Sequence, residues 1–192
     1  MERAFTSAIW KAPVKGPVFA GALGLAGDAV ANTKVHGGAD QALLMYAVSH
    51  YPVWESELGR PMVPGAFGEN LTVDGLDEDL VCIGDVLELG PVVLEVSQPR
   101  QPCATLARRH QIRDMIAIVR GNGRSGWYLR VLTEGTVEAG QSIAVADRPN
   151  PAWPVRRAAV VMQARGREPA AAAELAGCRG LSERWRARLA GG

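Results

Sequence analysis

The sequence is poor in cysteine and holds no long apolar run. Its three cysteines, Cys82, Cys103 and Cys178, lie far apart and form no CxxC pair. This spacing excludes a zinc ribbon and argues against a disulfide framework. No stretch reaches the length of a membrane span, and Lys11 and Lys15 interrupt the N-terminal segment that comes nearest to a signal sequence. We therefore expect a reduced, cytoplasmic protein with no membrane partner.

Several other signatures are also missing. The sequence contains no Walker loop, no HExxH or GxSxG motif and no dinucleotide fingerprint. Its formal net charge is only +1, so the electrostatics of the whole molecule favour neither nucleic acid nor a membrane surface. Hydrophobic residues make up 47% of the chain, which is typical of a globular protein with a substantial core.

Glycine and proline, in contrast, are frequent, at 22 and 12 residues, and they favour short strands joined by turns over long helices. Val86–Leu89 and Val92–Val96 flank a Gly-Pro pair and predict a hairpin. The other segments that we predict as strands are Ala8–Lys11, Val18–Ala20, Ala42–Tyr46, Trp127–Leu132 and Ser142–Val145. A buried helix would give the same short apolar run at residues 42–46. The pattern predicts a mainly β protein, a closed or nearly closed antiparallel barrel.

Two helical stretches are predicted within this β region. Ser49 can cap a short helix from His50 to Leu58. Pro52 is compatible with this helix, since proline is tolerated in a first turn. Residues 103–110 form a second helical stretch, which residues 114–119 can extend.

The region around residues 148–154 predicts a boundary, since its three prolines resist both helix and central strand. It separates a barrel domain, residues 1–150, from a helical extension, residues 151–192. Three helices are predicted in the extension, the third with Leu181, Trp185 and Leu189 recurring every four residues. Three helices are too few for an independent core, so we expect them to pack on the barrel or on a second subunit.

The extension is strongly basic. Residues 155–192 contain eight arginines and three glutamates, a balance of +5. We predict that this segment docks an acidic electron donor or the other subunit rather than nucleic acid, with ordinary solvation of the helices as the alternative.

Cys103 is the thiol whose placement points to chemistry. It follows a predicted strand, precedes a predicted helix, and ends a loop in which Pro99 and Pro102 each fix a φ angle. Positive charge from the helix start and from Arg100 would favour the thiolate, which is both a nucleophile and a soft metal ligand. The alternative is a small hydrophobic residue in a turn.

Other residues have two open interpretations each. Gly37 and Gly38, which follow His36, would let backbone N–H groups converge on an anion, or they serve only as turn residues. His50 is either an imidazole that faces a ligand or a surface residue. Lys11 is a lone lysine, and such residues are usually solvated.

Five blocks of sequence, taken together and in order across residues 6–147, resemble the MOSC family, named for the C-terminal domain of molybdenum cofactor sulfurases. The blocks are Gly24-Leu25-Ala26-Gly27-Asp28, Val35-His36-Gly37-Gly38-Ala39-Asp40-Gln41-Ala42, Phe67-Gly68-Glu69-Asn70-Leu71, Ile83-Gly84-Asp85-Val86 and Ser97-Gln98-Pro99-Arg100-Gln101-Pro102-Cys103. Residues 46–54 and the helical tail resemble the YiiM-like branch of the family.

The resemblance implies a MOSC-type β-barrel that binds a molybdopterin-type molybdenum cofactor, with Cys103 as the ligand of the metal. It implies that Lys11 and His50 join Cys103 as catalytic residues. The positions that it assigns to cofactor binding are Cys103, Lys11, His36, Gly37, Gly38, Asn70, Arg100 and Gln101. It further implies a homodimer.

The implied reaction reduces N-hydroxylated compounds, such as hydroxylamino purines, to amines. No flavin or iron–sulfur motif is present in the sequence, so an external electron donor protein would have to supply the electrons. A persulfide carrier that transfers sulfur and a non-catalytic cofactor carrier use the same cysteine and remain alternatives. A hydrolase that pairs Cys103 with His50 is possible on residue types alone, without support from the five blocks.

Overall fold

The structure, a computed structural model, describes residues 7–28 and 37–191. Within these residues the chain forms nine strands. They are β1 (Val18–Gly21), β2 (Gly24–Leu25), β3 (Leu43–Ala47), β4 (Leu71–Val73), β5 (Val86–Leu89), β6 (Val92–Pro99), β7 (Trp127–Thr133), β8 (Gly135–Val137) and β9 (Ile143–Asp147).

The strands form two sheets. Six of them, in the order β4-β3-β7-β6-β5-β9, make a sheet that curls into a half-barrel, and a second sheet has the order β2-β1-β8. All pairings are antiparallel except that of β3 with β4. The long strand β6 lies between β5 and β7, and its last residue, Pro99, leads directly into the segment that carries Cys103. The prediction of a mainly β, barrel-type fold is confirmed.

The strand predictions differ in outcome. The hairpin of β5 and β6 is confirmed, and residues 43–47 form a fully buried strand because β4 and β7 pair with it on both sides. The strand predicted at Ala8–Lys11 is wrong, since residues 8 and 9 form a turn. The carbonyl of Ile9 accepts a hydrogen bond from the side chain of Arg109 instead of from a strand partner.

Six helices accompany the sheets in the described residues. They are α1 (His50–Leu58), α2 (Ala104–His110), α3 (Met115–Asn122), α4 (Val155–Ala164), α5 (Pro169–Gly177) and α6 (Glu183–Ala190). The predicted second helical stretch is two helices, because Gln111 adopts a left-handed conformation after α2. The predicted cap of α1 is wrong, since the Ser49 side chain makes no capping hydrogen bond.

The three helices of the extension pack on the barrel, one of the two arrangements expected. A single hydrophobic cluster contains Leu87 and Leu94 from the sheet together with Val155, Leu175 and Trp185 from α4, α5 and α6. The prediction that Ser182 caps α6 is confirmed by its acceptance of the Trp185 N–H. No helix in the described ranges combines the length and apolar character needed to cross a membrane.

A second hydrophobic cluster is separate from the first. It packs α1, α2 and α3 around Phe67, which stacks on Tyr46 with ring centroids 4.3 Å apart. The loop that carries Phe67 thereby becomes part of a core, although it has no regular secondary structure of its own. This loop organises the candidate site.

Candidate functional site

The loop from Gly65 to Asn70 is held rigidly by the buried carboxylate of Glu69. This carboxylate accepts hydrogen bonds from the Tyr51 hydroxyl, from the Gly65 N–H and, at 2.9 Å, from the Phe67 N–H. Burial, followed by the charge of Glu69, raises the pKa of Tyr51, so its hydroxyl stays protonated and serves as a donor. Three donors compensate the buried charge, which explains how an irregular loop can lie in the interior.

Cys103 lies where strand β6 turns into helix α2. The Arg100 N–H donates to the Gly126 carbonyl at 3.0 Å, and the Leu106 N–H donates to the Cys103 carbonyl at 3.0 Å. Cys103 itself has an extended backbone, immediately before the first residue of α2, and its side chain is half-buried. All three cysteines are described, and none forms a disulfide. The predicted placement between strand and helix is therefore confirmed.

Arg100, three residues before Cys103, is a buried cation whose hydrogen bonds are incomplete. The residue is only 5% exposed, and its Nη2 donates to the Phe67 carbonyl at a long 3.4 Å. Its Nη1 has no hydrogen-bond acceptor, and within residues 7–28 and 37–191 no carboxylate pairs with it. Burial raises the pKa of Tyr128, while the charge of Arg100 and a hydrogen bond from Arg100 lower it. A buried, unmatched guanidinium is costly unless a ligand completes its hydrogen bonds.

Lys11 and Asn70 both contact the carboxylate of Asp28. The Lys11 ammonium pairs with one oxygen of the Asp28 carboxylate, and the Asn70 amide donates to the other at 2.6 Å. Asn70 is itself fixed, because its side-chain oxygen accepts the Leu44 N–H at 2.9 Å and its own N–H donates to the Leu44 carbonyl. The solvation that is usual for a lone lysine therefore does not describe Lys11.

The Lys11 segment and the helix after Cys103 contact the same loop. Arg109, on α2, donates to the carbonyls of both Ile9 and Gly65. Gly65 has a positive φ of 91°, and a Cβ there would come within 2.7 Å of the Lys11 carbonyl oxygen, so only glycine fits. The structure thus brings Lys11, Arg100 and the last turn of α2 to one loop, which ends at Asn70.

His50 is buried, which only one of its two sequence interpretations allows. It is 7% exposed, and its Nε2 lies 2.6 Å from a carboxylate oxygen of Glu78, which is completely buried. The other oxygen of Glu78 accepts the Gly126 N–H at 2.6 Å, and the carbonyl of Gly126 accepts the Arg100 N–H. The interpretation of His50 as a surface residue is wrong; a chain of hydrogen bonds connects it to the Cys103 loop.

Glu78 and Gly126 are therefore residues that sequence reasoning missed. Glu78 lies between Asp77 and Asp79, in a run of three acids that is typical of a solvated turn. No local signal marks Glu78, because its partners His50 and Gly126 are distant in sequence.

The remaining predicted residues are His36, Gly37, Gly38 and Gln101. Gly37 and Gly38 have φ angles of 85° and 82°, the left-handed conformation that favours glycine, and His36 lies outside the described residues. The side-chain oxygen of Gln101 accepts a hydrogen bond from Arg188 on α6 at 2.7 Å. Gln101 thus connects the Cys103 loop to the helical tail.

The candidate site contains one soft metal ligand. No group of three or more His, Cys, Asp or Glu residues with metal-binding geometry occurs in the described part of the chain. The half-buried thiol of Cys103 could contribute one sulfur, and Arg100 one unused hydrogen-bond donor for an anion. Such a donor set suits a metal that arrives with its other ligands already attached.

The sequence is similar to a family model and to several known proteins. The model of the MOSC domain family matches residues 32–144. YflK of Bacillus subtilis is 41% identical over 179 residues, which cover 93% of this chain and 81% of YflK. A protein of Gibberella moniliformis named as a reductase is 41% identical over 166 residues, which cover 83% of this chain but only 29% of that protein.

The fold is shared with a solved structure. The crystal structure of YiiM from Geobacillus stearothermophilus superposes with a TM-score of 0.86 at 37% sequence identity. The match covers 95% of this chain and 87% of that one, so it includes the helical tail as well as the barrel.

Proposed function

This chain belongs to the MOSC domain family, and from that premise we propose that it is a molybdenum-cofactor-dependent oxidoreductase that reduces N-hydroxylated compounds to amines. Three things support the proposal: the resemblance of the sequence blocks, the name of the Gibberella relative, and the chemistry of the site. That relative is more than three times as long as the matched segment, so its activity enters only as part of this proposal.

The observation that carries the proposal is the unmatched Nη1 of Arg100, three residues before the Cys103 thiol. A pterin-held metal is anionic and carries a phosphate, and it brings sulfur ligands with it. It therefore needs from the protein one further soft ligand and donors for its negative charge. Cys103 would hold the metal, while Arg100 would donate to an anionic group of the cofactor. The residues present fit this group.

When bound, the molybdenum centre would supply two-electron redox chemistry beside the thiol. The overall reaction converts R–NHOH, two electrons and two protons into R–NH₂ and water. Because the sequence carries no flavin or iron–sulfur motif, we propose that an external donor protein supplies the electrons. The N–O bond breaks, the nitrogen is reduced, and the oxygen leaves as water.

The protein's own residues then have separate tasks. Lys11, oriented by Asp28 and Asn70, would hold an anionic part of the cofactor or substrate at the edge of the loop. For His50 the contacts favour a positioning role, because Glu78 engages its Nε2 and connects it to Gly126. The catalytic role that the resemblance implies for His50, which we interpret as proton donation to the departing hydroxyl, remains a prediction, and a shifted pH profile of kcat in His50→Gln would distinguish the two roles.

The test uses protein purified from a host that makes the cofactor. Cys103→Ser should lose bound molybdenum and lower the reduction of an N-hydroxylated purine by at least roughly 100-fold with a chemical reductant, because even loss of a supporting contact at a metal site costs on the order of 10- to 100-fold. Its thermal stability should stay near that of the wild type, since the side chain is only half-buried.

Cys82→Ser and Cys178→Ser are the controls. Both thiols are buried, and burial raises the pKa of each, so neither is a reactive thiolate. Both variants should keep molybdenum and activity. Wild-type turnover by Cys103→Ser would contradict the proposal, and sulfane sulfur on Cys103 without molybdenum would indicate sulfur transfer instead.

A further inference from the structure

A second site lies where the helical tail meets the barrel. A cavity of about 430 Å³ is bounded by the loop at residues 99–102, the end of α3, and helices α4 and α6. Lys11, Asn70 and Cys103 do not line it. Among its described lining residues there is no aspartate or glutamate, and six are arginines. These arginines are Arg100, Arg120, Arg156, Arg165, Arg167 and Arg188.

Most of these cations have no anionic partner. Arg156 pairs with Asp79 at 2.6 Å, but over the described ranges the other five form no ion pair. Arg165 donates from Nη1 to the Met162 carbonyl, while its buried Nε has no acceptor. Burial lowers the pKa of Arg188, and neighbouring arginines, Arg165 first, lower it further. The cavity therefore concentrates positive charge that the described part of the chain leaves uncompensated.

The shape and the residue type narrow the class of ligand. A volume of about 430 Å³ lies within the range of small-molecule pockets, roughly 300 to 1,000 Å³. A guanidinium is a planar fork that matches two oxygens of a phosphate, whereas a single carboxylate would leave most of these donors unused. Ala159 and Val160 add an apolar wall on α4, and the Val160 side chain is exposed. A base or sugar could lie against such a wall.

We propose that this cavity binds a small molecule with two adjacent phosphate groups, of the nucleoside diphosphate class. The site goes beyond the proposed reductase activity, because it needs neither the thiol nor the cofactor. It shares Arg100 and Gln101 with the residues that we assign to the cofactor, but none of its other five arginines is among those residues. Its concave shape favours a small anion over the acidic surface of a partner protein, which would contact the rim instead.

Isothermal titration calorimetry on the full chain, prepared without cofactor, tests the proposal. ADP and pyrophosphate should both bind, with orthophosphate weaker and a hexaglutamate peptide weakest, and raised salt should weaken every interaction. Arg120 and Arg167 are exposed, so Arg120→Gln/Arg167→Gln should fold normally. Binding of ADP to this double variant should weaken by about tenfold or more, since charge-assisted hydrogen bonds are lost.

Arg157→Gln/Arg179→Gln is the matched control. It removes the same amount of charge as the test variant, at side chains that are 45% and 70% exposed and do not line the cavity. It should change ADP affinity by less than about twofold, as expected for screened surface charges. Equal weakening in both double variants would overturn the proposal.

Two further outcomes would also overturn it. Tighter binding of hexaglutamate than of ADP would assign the cavity to an acidic partner protein. Loss of ADP binding in the cofactor-loaded protein, with the cofactor in place, would make the cavity a part of the cofactor site. Failure of the reductase proposal would leave these titrations unaffected, because they contain no cofactor and measure no turnover.

Discussion

The two basic regions of this protein differ in how their charges are matched. Beside the loop from Gly65 to Asn70, Lys11 pairs with Asp28, and Glu69 accepts three hydrogen bonds. Arg100 is the exception there. In the cavity against the tail, five of the six arginines form no ion pair with any residue that the structure describes. Matched charges hold a scaffold in shape, whereas unmatched charges that are held in place indicate where a ligand supplies the opposite charge.

The largest expected effect concerns the wall of the cavity. Trp185 is 1% exposed and packs α6 into the same core as the sheet. Trp185→Ala should lower the free energy of unfolding by roughly 4 kcal/mol, measured by urea denaturation. Trp10→Ala, at a side chain that is 59% exposed, is the control and should cost less than about 1 kcal/mol. A loss of unfolding free energy for Trp185→Ala as small as that for Trp10→Ala would mean that the tail is only loosely attached to the barrel. The cavity would then have no fixed shape.

The next effect tests the matched region. Glu78→Ala would leave the Gly126 N–H without its acceptor and His50 without its carboxylate. We expect a loss of about 3 kcal/mol of unfolding free energy, because both groups are buried. Asp79→Ala removes a neighbouring, exposed carboxylate that pairs with Arg156, and it should cost less than about 1 kcal/mol. A change of similar size in both variants would contradict the role assigned to Glu78.

A third effect depends on pH. Burial, reinforced by Arg109, Arg60 and Arg100, lowers the pKa of His110 from 6.5 to about 4, and its Nε2 lies 2.9 Å from the Ala66 carbonyl. As the pH falls below 6.5, the unfolded chain takes up this proton before the folded chain does. Stability is therefore complete above pH 6.5 and decreases towards pH 4.

The loss should reach about 2 kcal/mol at about pH 5. Urea denaturation of the wild type and of His110→Gln across this range measures it, because the variant lacks the titrating group. Identical pH dependence in the two proteins would show that His110 is not held neutral by the fold.

Much of this architecture was predictable because it depends on local patterns. The Gly90-Pro91 turn fixed the hairpin of β5 and β6, and the spacing of Leu181, Trp185 and Leu189 fixed the buried face of α6. Residues 8–11 show the limit. Their pattern resembles a short strand, but the backbone there lies against Gly65 and Gly68, a long-range contact that no local pattern encodes.

The residues of the candidate site also differ in whether the sequence could predict them. Cys103 could be identified because prolines on both sides of Arg100 define a stiff loop. Glu78 could not, because its burial depends on His50 and Gly126, which are distant in sequence. The arginine cavity could not be foreseen either, since its charges converge only after α3, α4 and α6 have packed.

The smallest expected change in stability is at Lys11, where a role in the fold can be distinguished from a role in cofactor binding. Lys11 and Asp28 are partly exposed, so Lys11→Ala should change the free energy of unfolding by less than about 1 kcal/mol. If Lys11 holds the cofactor, however, molybdenum per chain after gel filtration should fall well below that of the wild type. Lys15→Ala, at an exposed lysine four residues away, is the control and should change neither quantity. Equal molybdenum content in the two variants would show that the Lys11–Asp28 pair serves the fold alone, and Arg100 would then be the principal cation available to the cofactor.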